Sequence, residues 1–311
     1  MLRRLIFPLL LLLPLQAAAQ QQLGQKVLGA VGINAGVQPE VGLYVIDKLL
    51  FYNSGTIRDR NGDEVPIRGL DVDVVATVLG LGYTFKPKHA PYFTVSAGVP
   101  LASVSLSTDV PLASVDRAGF GDAIVQPLRV GWRAKHYDVV GSYTMYIPTG
   151  QAEPRGTGIG RGFWTHQLSL GGAAYPHRDR TRRISALLSY DINGWKRDID
   201  IKRGNTLQVQ GGAGIVLKKM LLVGVAGFAL WQVTDDRGRD VPPAVRGART
   251  RVFGLGPEID FTIPQTPLAF EARYEWELGT RARVEGDILV IGLTYRAWQP
   301  RSARPAAPPR R

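Results

Sequence analysis

The chain of 311 residues has no cysteine. Disulfides, on which small exported domains commonly rely, therefore cannot hold this fold. Histidine is scarce as well. His89, His136, His166 and His177 are scattered without ligand spacing, and three of them lie in or beside short turns. There is no GxSxG elbow and no HExxH pair, so the common hydrolase and zincin signatures are missing. After the first twenty residues no stretch approaches the roughly 20 apolar residues that a spanning helix needs. No catalytic residue, metal site or cofactor is expected, and the chain does not read as an enzyme.

What is present begins with the leader. Arg3 and Arg4 precede an apolar run from Leu5 to Leu15, and Ala17, Ala18 and Ala19 supply small residues at the cleavage positions. Residues 1–19 therefore read as a secretory signal peptide. The formal charge is +12. Two of the arginines sit in the leader and four in the tail after Trp298, and the others gather largely in turns. An exported chain with that distribution is not expected to bind nucleic acid.

The clearest pattern lies in Arg251–Leu278. Pro264-Gln265-Thr266-Pro267 separates two strands, and in the second Leu268, Phe270, Ala272, Tyr274, Trp276 and Leu278 share one face. Ala269, Glu271, Arg273, Glu275 and Glu277 share the other. Such alternation marks strands. It recurs along the chain. Ile124, Leu128, Val130 and Trp132 are assigned one face opposite Arg129 and Arg133. Leu168 and Leu170 oppose Gln167 and Ser169, and Ile184, Leu188 and Ile192 oppose Ser185, Ser189 and Asp191. The stretches Val41–Tyr52 and Met220–Thr234 are apolar on both parities, so their facing stays open. The total is about twelve strands, most longer than the usual five or six residues.

Short connections alternate with long ones. Lys86–Pro91, Lys135, Pro176–Thr181, Lys218-Lys219 and Pro264–Pro267 are tight. Asn53–Gly69, Ser107–Gly121, Pro148–Arg161, Lys196–Gly204, Asp235–Thr250 and Gly279–Gly286 are long. A closed up-and-down meander puts all short turns at one end, periplasmic in outer-membrane barrels, and all long loops at the other. Strand lengths fit the roughly 9–11 residues of a tilted spanning strand, and Trp132, Tyr137, Trp164, Trp231, Trp276 and Tyr295 stand near strand ends, where interface girdles form. The expected fold is all-β, a closed antiparallel up-and-down transmembrane β-barrel of about 12 strands over residues 41–298. The apolar face would meet lipid and the polar face the interior. Residues 20–40 are expected to be irregular, with a partial plug as one option, and residues 299–311 to form a disordered periplasmic tail.

An arginine on the lipid side near the midplane would cost about 2–4 kcal/mol, so Arg129 and Arg273 are assigned to the interior. The lumen or substrate-path candidates are Arg129, Arg133, Asp138, Glu258, Asp260, Glu271, Arg273 and Glu275. Buried charges need partners, so an ion-pair network is the plain alternative to paired-carboxylate chemistry. The glycine-rich run Gly156–Gly162 reads as a flexible loop, and Asp235–Asp240 as a weak calcium candidate offset by its arginines.

Gly119–Trp132 (GFGDAIVQPLRVGW) and Tyr146–Gly150 (YIPTG) resemble the SphA-like outer-membrane proteins associated with the meta-cleavage pathway of phenol degradation. The resemblance extends to Pro39–Tyr44, Tyr190, Asn193, Trp231–Asp236, Val252–Pro257 and Gly286-Asp287. It implies a bacterial outer-membrane β-barrel for uptake of small hydrophobic or aromatic compounds, a channel or transporter. Gln151-Ala152-Glu153 departs from the pattern, since relatives commonly carry an aromatic residue there. The expected partners are outer-membrane lipid, lipopolysaccharide and a hydrophobic small-molecule substrate. A structural or surface-interaction barrel with a sealed lumen is the second reading, and a lipid-modifying enzyme of the outer membrane a distant third.

Overall fold

A computed structural model describes residues 28–109, 114–151 and 158–300. The leader and the tail from residue 301 lie outside the described residues. Fourteen strands follow one another: β1 Gly42–Arg58, β2 Glu64–Val65, β3 Asp71–Phe85, β4 Tyr92–Ser107, β5 Val115–Phe120, β6 Ala123–Arg133, β7 Tyr137–Ile147, β8 Thr165–Ala174, β9 Arg182–Asn193, β10 Thr206–Leu217, β11 Leu221–Gln232, β12 Arg251–Thr262, β13 Leu268–Arg281 and β14 Arg283–Trp298. Twelve of them form an antiparallel barrel. Each pairs with its neighbour in sequence, and β14 returns to β1 along a seam from Leu43↔Trp298 to Arg58↔Arg283. The two short strands, β2 and β5, extend the wall beyond β1 and β4. No open edge remains in the closed ring, as a lipid environment requires.

The outward face is apolar over the height of a bilayer. Leu81, Leu170, Ile184 and Leu255 are more than half exposed, with Phe51, Val99, Leu188 and Ile291 exposed beside them. Aromatic contacts mark the margins: Phe85 stacks on Phe93, Tyr274 meets Trp276 edge-on, and Trp231 meets Phe253 edge-on. Tight turns close the periplasmic end. Lys218 and Lys219 both take positive φ, as a two-residue hairpin turn matching the strand twist demands.

Three expectations need correction. Ile124 does not share a face with Leu128. A bulge between Val125 and Leu128 adds a residue at Gln126-Pro127, so Ile124 sits opposite the buried Tyr146 inside the barrel while Leu128 sits opposite Tyr143 outside. The long connections are partly strand: β1 runs on to Arg58, β5 lies within Ser107–Gly121, and Gly279–Gly286 is a tight turn at Ala282 with φ 53°.

The interior, finally, is not polar all round. On the arc β7–β10 it carries ladders: Thr165 donates to Asn193 at 2.7 Å, Gln167 to Asp191 at 2.6 Å and Thr206 to Asp191 at 2.9 Å. On the opposite arc, Ile57, Leu70, Val72, Val74 and Val284 form one inward apolar cluster, and Phe228, Leu230, Val252, Ile288 and Val290 form another, with Leu50 and Tyr52 packed against it. Strands β1 and β11, apolar on both parities, are thus strands with lipid on one side and an apolar lumen on the other.

Candidate functional site: a lumen closed by the N-terminal segment

Residues 28–40 lie inside the barrel and run towards the periplasmic mouth. Ile33, Ala35 and Gln38 are fully buried or nearly so. Two tight turns compact the segment, Ala35 N–H donating to Gly32 O at 2.9 Å and Val37 N–H to Asn34 O at 3.1 Å. Glycine is required where it meets the wall. A Cβ on Gly36 would stand 2.0 Å from the carbonyl oxygen of Gly172, and one on Gly32 would stand 1.6 Å from Glu258 Oε2.

The segment has few backbone partners of its own, and a buried orphan N–H or C=O costs about 1–3 kcal/mol. The wall supplies what is missing through the predicted residues. Glu258 accepts Ile33 N–H at 2.9 Å, and Asp260 accepts the Asn34 amide at 2.6 Å. Arg273, essentially unexposed, donates to Gly29 O and pairs with Glu258 at 3.2 Å and Glu275 at 3.4 Å. Glu271 pairs with Lys48 at 2.6 Å, and Lys48 in turn donates to Ala30 O at 2.8 Å.

A second group holds the other end. Arg129 donates to Val37 O at 2.7 Å, and Arg133 to Gln38 O at 3.2 Å. Asp138 accepts Gln38 N–H at 3.2 Å while bound by Tyr175 at 3.0 Å and Arg180 at 2.7 Å. All eight predicted residues thus fall on the lumen wall, as two latches on one segment.

The rest of the cradle was not among the site candidates, although Arg183, Ser185 and Gln210 lie on the parity that alternation sends inward. Lys48, Gln210, Arg183 and Ser185 each bond the segment, the Ser185 hydroxyl donating to Ile33 O at 2.5 Å. Lys48 was visible as the lone cation in an apolar stretch, but that stretch gave no facing. Two apolar contacts complete the fit: Ile33 against Leu222 and Ala226, and Ala35 against Val140 and Leu187. Below the segment a cavity of about 360 Å³ opens between Asn34, Arg183, Lys219, Asp260 and Glu271.

At the segment's foot Glu40 pairs with Arg296 at 2.7 Å and Arg133 at 3.4 Å. Partial burial alone would raise its carboxyl pKa, but these two guanidiniums outweigh that and hold it below its ordinary value. Among the described residues no group of three or more His, Cys, Asp or Glu could hold a metal ion.

Closed strands, a lipid-facing apolar belt and an internal segment on charged latches define a transmembrane β-barrel of the outer-membrane type. The profile of the family described as "Putative MetA-pathway of phenol degradation" matches residues 54–292. The chain belongs to that family. Among solved structures it is similar to an outer-membrane channel from Pseudomonas putida F1, with 10% identity, 84% of this chain and 97% of that one covered, and a TM-score of 0.73. More distant are the CymD monoaromatic hydrocarbon channel (9% identity, 83% and 88% covered, TM-score 0.44) and a FadL homologue of Pseudomonas aeruginosa (9% identity, 82% and 90% covered, TM-score 0.41). Comparison with curated proteins finds no sequence match.

Proposed function

We propose that this protein is an outer-membrane channel through which small hydrophobic or aromatic compounds enter the cell, with residues 28–40 as its gate. The observation that carries this reading is the inward apolar arc. Clusters around Val72 and Val284, and around Phe228, Val252 and Ile288, line one side of the extracellular part of the lumen and lead down to Leu28, which packs against the second of them. A water-filled pore for ions or sugars gains nothing from such a wall, whereas an apolar solute is stabilised there by about 25 cal/mol for each Å² it removes from water. The opposite polar ladder gives one side for hydroxyl or carbonyl groups. The test is uptake of labelled monoaromatic compounds by cells that depend on this protein. Phe228→Asp, with normal barrel assembly, is expected to depress uptake of toluene-like solutes strongly while leaving glycine uptake unchanged. Equal uptake by wild type, variant and deletion strain would remove the proposal.

The latches also support a sealed barrel that acts only as a structural or surface element. Single-channel recording separates the two readings: a sealed barrel stays silent under all conditions, while a gated channel opens when the latches are weakened.

A further inference from the structure

On the outward face of β12 and β13, Arg251 and Arg281 stand directly opposite each other in register. Like charges in that position repel and destabilise a sheet. The placement depends on one local device. Phe253 pairs with Leu278, yet Arg251 pairs with Arg281, so β13 carries an extra residue between them. Gly279, at φ 63°, takes up that residue. Without the bulge, alternation from Trp276 and Leu278 would turn Thr280 outward and Arg281 inward. With it, Thr280 is buried and Arg281 is exposed. Bulges of this kind re-aim side chains.

No carboxylate among the described residues pairs with either arginine. Asp235 is taken by Arg249 at 2.7 Å, and the outward Asp287 accepts the Tyr274 hydroxyl at 2.8 Å. Arg251 donates to Gly279 O at 3.1 Å and lies over the Phe253 ring at 5.4 Å. That ring and Trp231 mark the extracellular rim of the apolar belt. Immediately below lie Leu255, Trp276 and Leu278, all about half exposed.

We infer that Arg251 and Arg281 form a binding site for a phosphate of an outer-leaflet lipid A headgroup, whose acyl chains descend along Leu255, Trp276 and Leu278. Paired guanidiniums match phosphate oxygens two by two. An anion between them converts their repulsion into attraction, and the apolar strip beneath selects an amphiphile over a free ion. The inference does not depend on what the lumen conducts.

The test uses the folded full-length protein in lipopolysaccharide-free detergent, with diphosphoryl lipid A, phosphatidylglycerol and inorganic phosphate titrated separately and bound species counted by native mass spectrometry. Wild type is expected to bind lipid A in preference to the other two. Arg251→Gln/Arg281→Gln is expected to weaken lipid A binding by roughly tenfold or more, about one or two charge-assisted hydrogen bonds' worth. Arg197→Gln/Arg246→Gln, on exposed loops, should change nothing. Equal losses in both pairs, or inorganic phosphate displacing lipid A at equal concentration, would overturn the site. Arg281→Gln alone adds a readout independent of the double variant's folding. Because it relieves a like-charge cross-strand pairing, it should unfold no earlier than wild type without lipid but lose the protection that lipid A gives wild type. Earlier unfolding without lipid, or full retention of that protection, would make Arg281 structural.

Discussion

At the scale of single residues, six of the interior charges converge on one short segment: Glu258, Asp260, Arg273, Arg129, Arg133 and Asp138 each bond a residue between 28 and 40. Alternation in β13 was enough to send Glu271, Arg273 and Glu275 inward, and the cost of an arginine in lipid was enough for Arg129. Alternation says nothing of what an inward charge faces, because that partner is more than two hundred residues away for Ile33 and Glu258. Gly36 gives the sharpest test of the fit. Gly36→Ala sets a methyl against the Gly172 carbonyl, which belongs to the wall and cannot yield. Overpacking of this order costs about 1–3 kcal/mol. The expected result is an assembled barrel with a dislodged segment, seen as raised conductance in planar bilayers.

Glu40 adds a pH dependence whose sign is fixed. Its folded pKa lies below the ordinary 4.5, so its ion pairs contribute fully above that value and are lost as pH falls through the lowered folded value. Protection of the Gln38 amide against hydrogen exchange, taken relative to the intrinsic rate at each pH, should fall below about pH 4.5, and Glu40→Gln should abolish that acid-induced loss. An unchanged acid response in Glu40→Gln would assign it to another group.

At the scale of elements, strand existence and facing were readable where one face is apolar and the other polar, as in β7 to β10 and β13. In β1 and β11 the strand was readable but its facing stayed open, because both sides of those strands are apolar. Ile124 was misplaced because a bulge leaves little trace in composition beyond Pro127, whose missing N–H suits an interrupted ladder. Facing is testable on the central strands. Ile291 lies mid-strand in β14, exposed to lipid. Ile291→Arg is expected to cost about 2–4 kcal/mol and to reduce the heat-modifiable folded band on gels, while Gln208→Asn, on the inner face of β10, should leave it intact.

At the scale of the whole molecule, loop alternation foretold closure, and the count of alternating stretches foretold the strand number. Residues 28–40 carry no period, so their place in the lumen was open; a compact irregular segment is specified by what encloses it. Deleting residues 28–40 is expected to leave the barrel folded and to convert brief or absent openings into a steady conductance. A silent deletion variant would show that the wall itself closes the pore.

In the proposed channel, residues 28–40 are covalently continuous with β1 through Glu40 and Val41, so when their latches open they remain tied at the mouth. A short tether holds its own ligand at an effective concentration on the order of millimolar. Closure is then set by a local supply that dilution of the protein cannot lower, and each opening is brief and reversible. A barrel lacking residues 28–40 should accordingly be blocked by a synthetic peptide of that sequence only when the peptide approaches millimolar levels, from the periplasmic side, with conductance falling in proportion to occupancy.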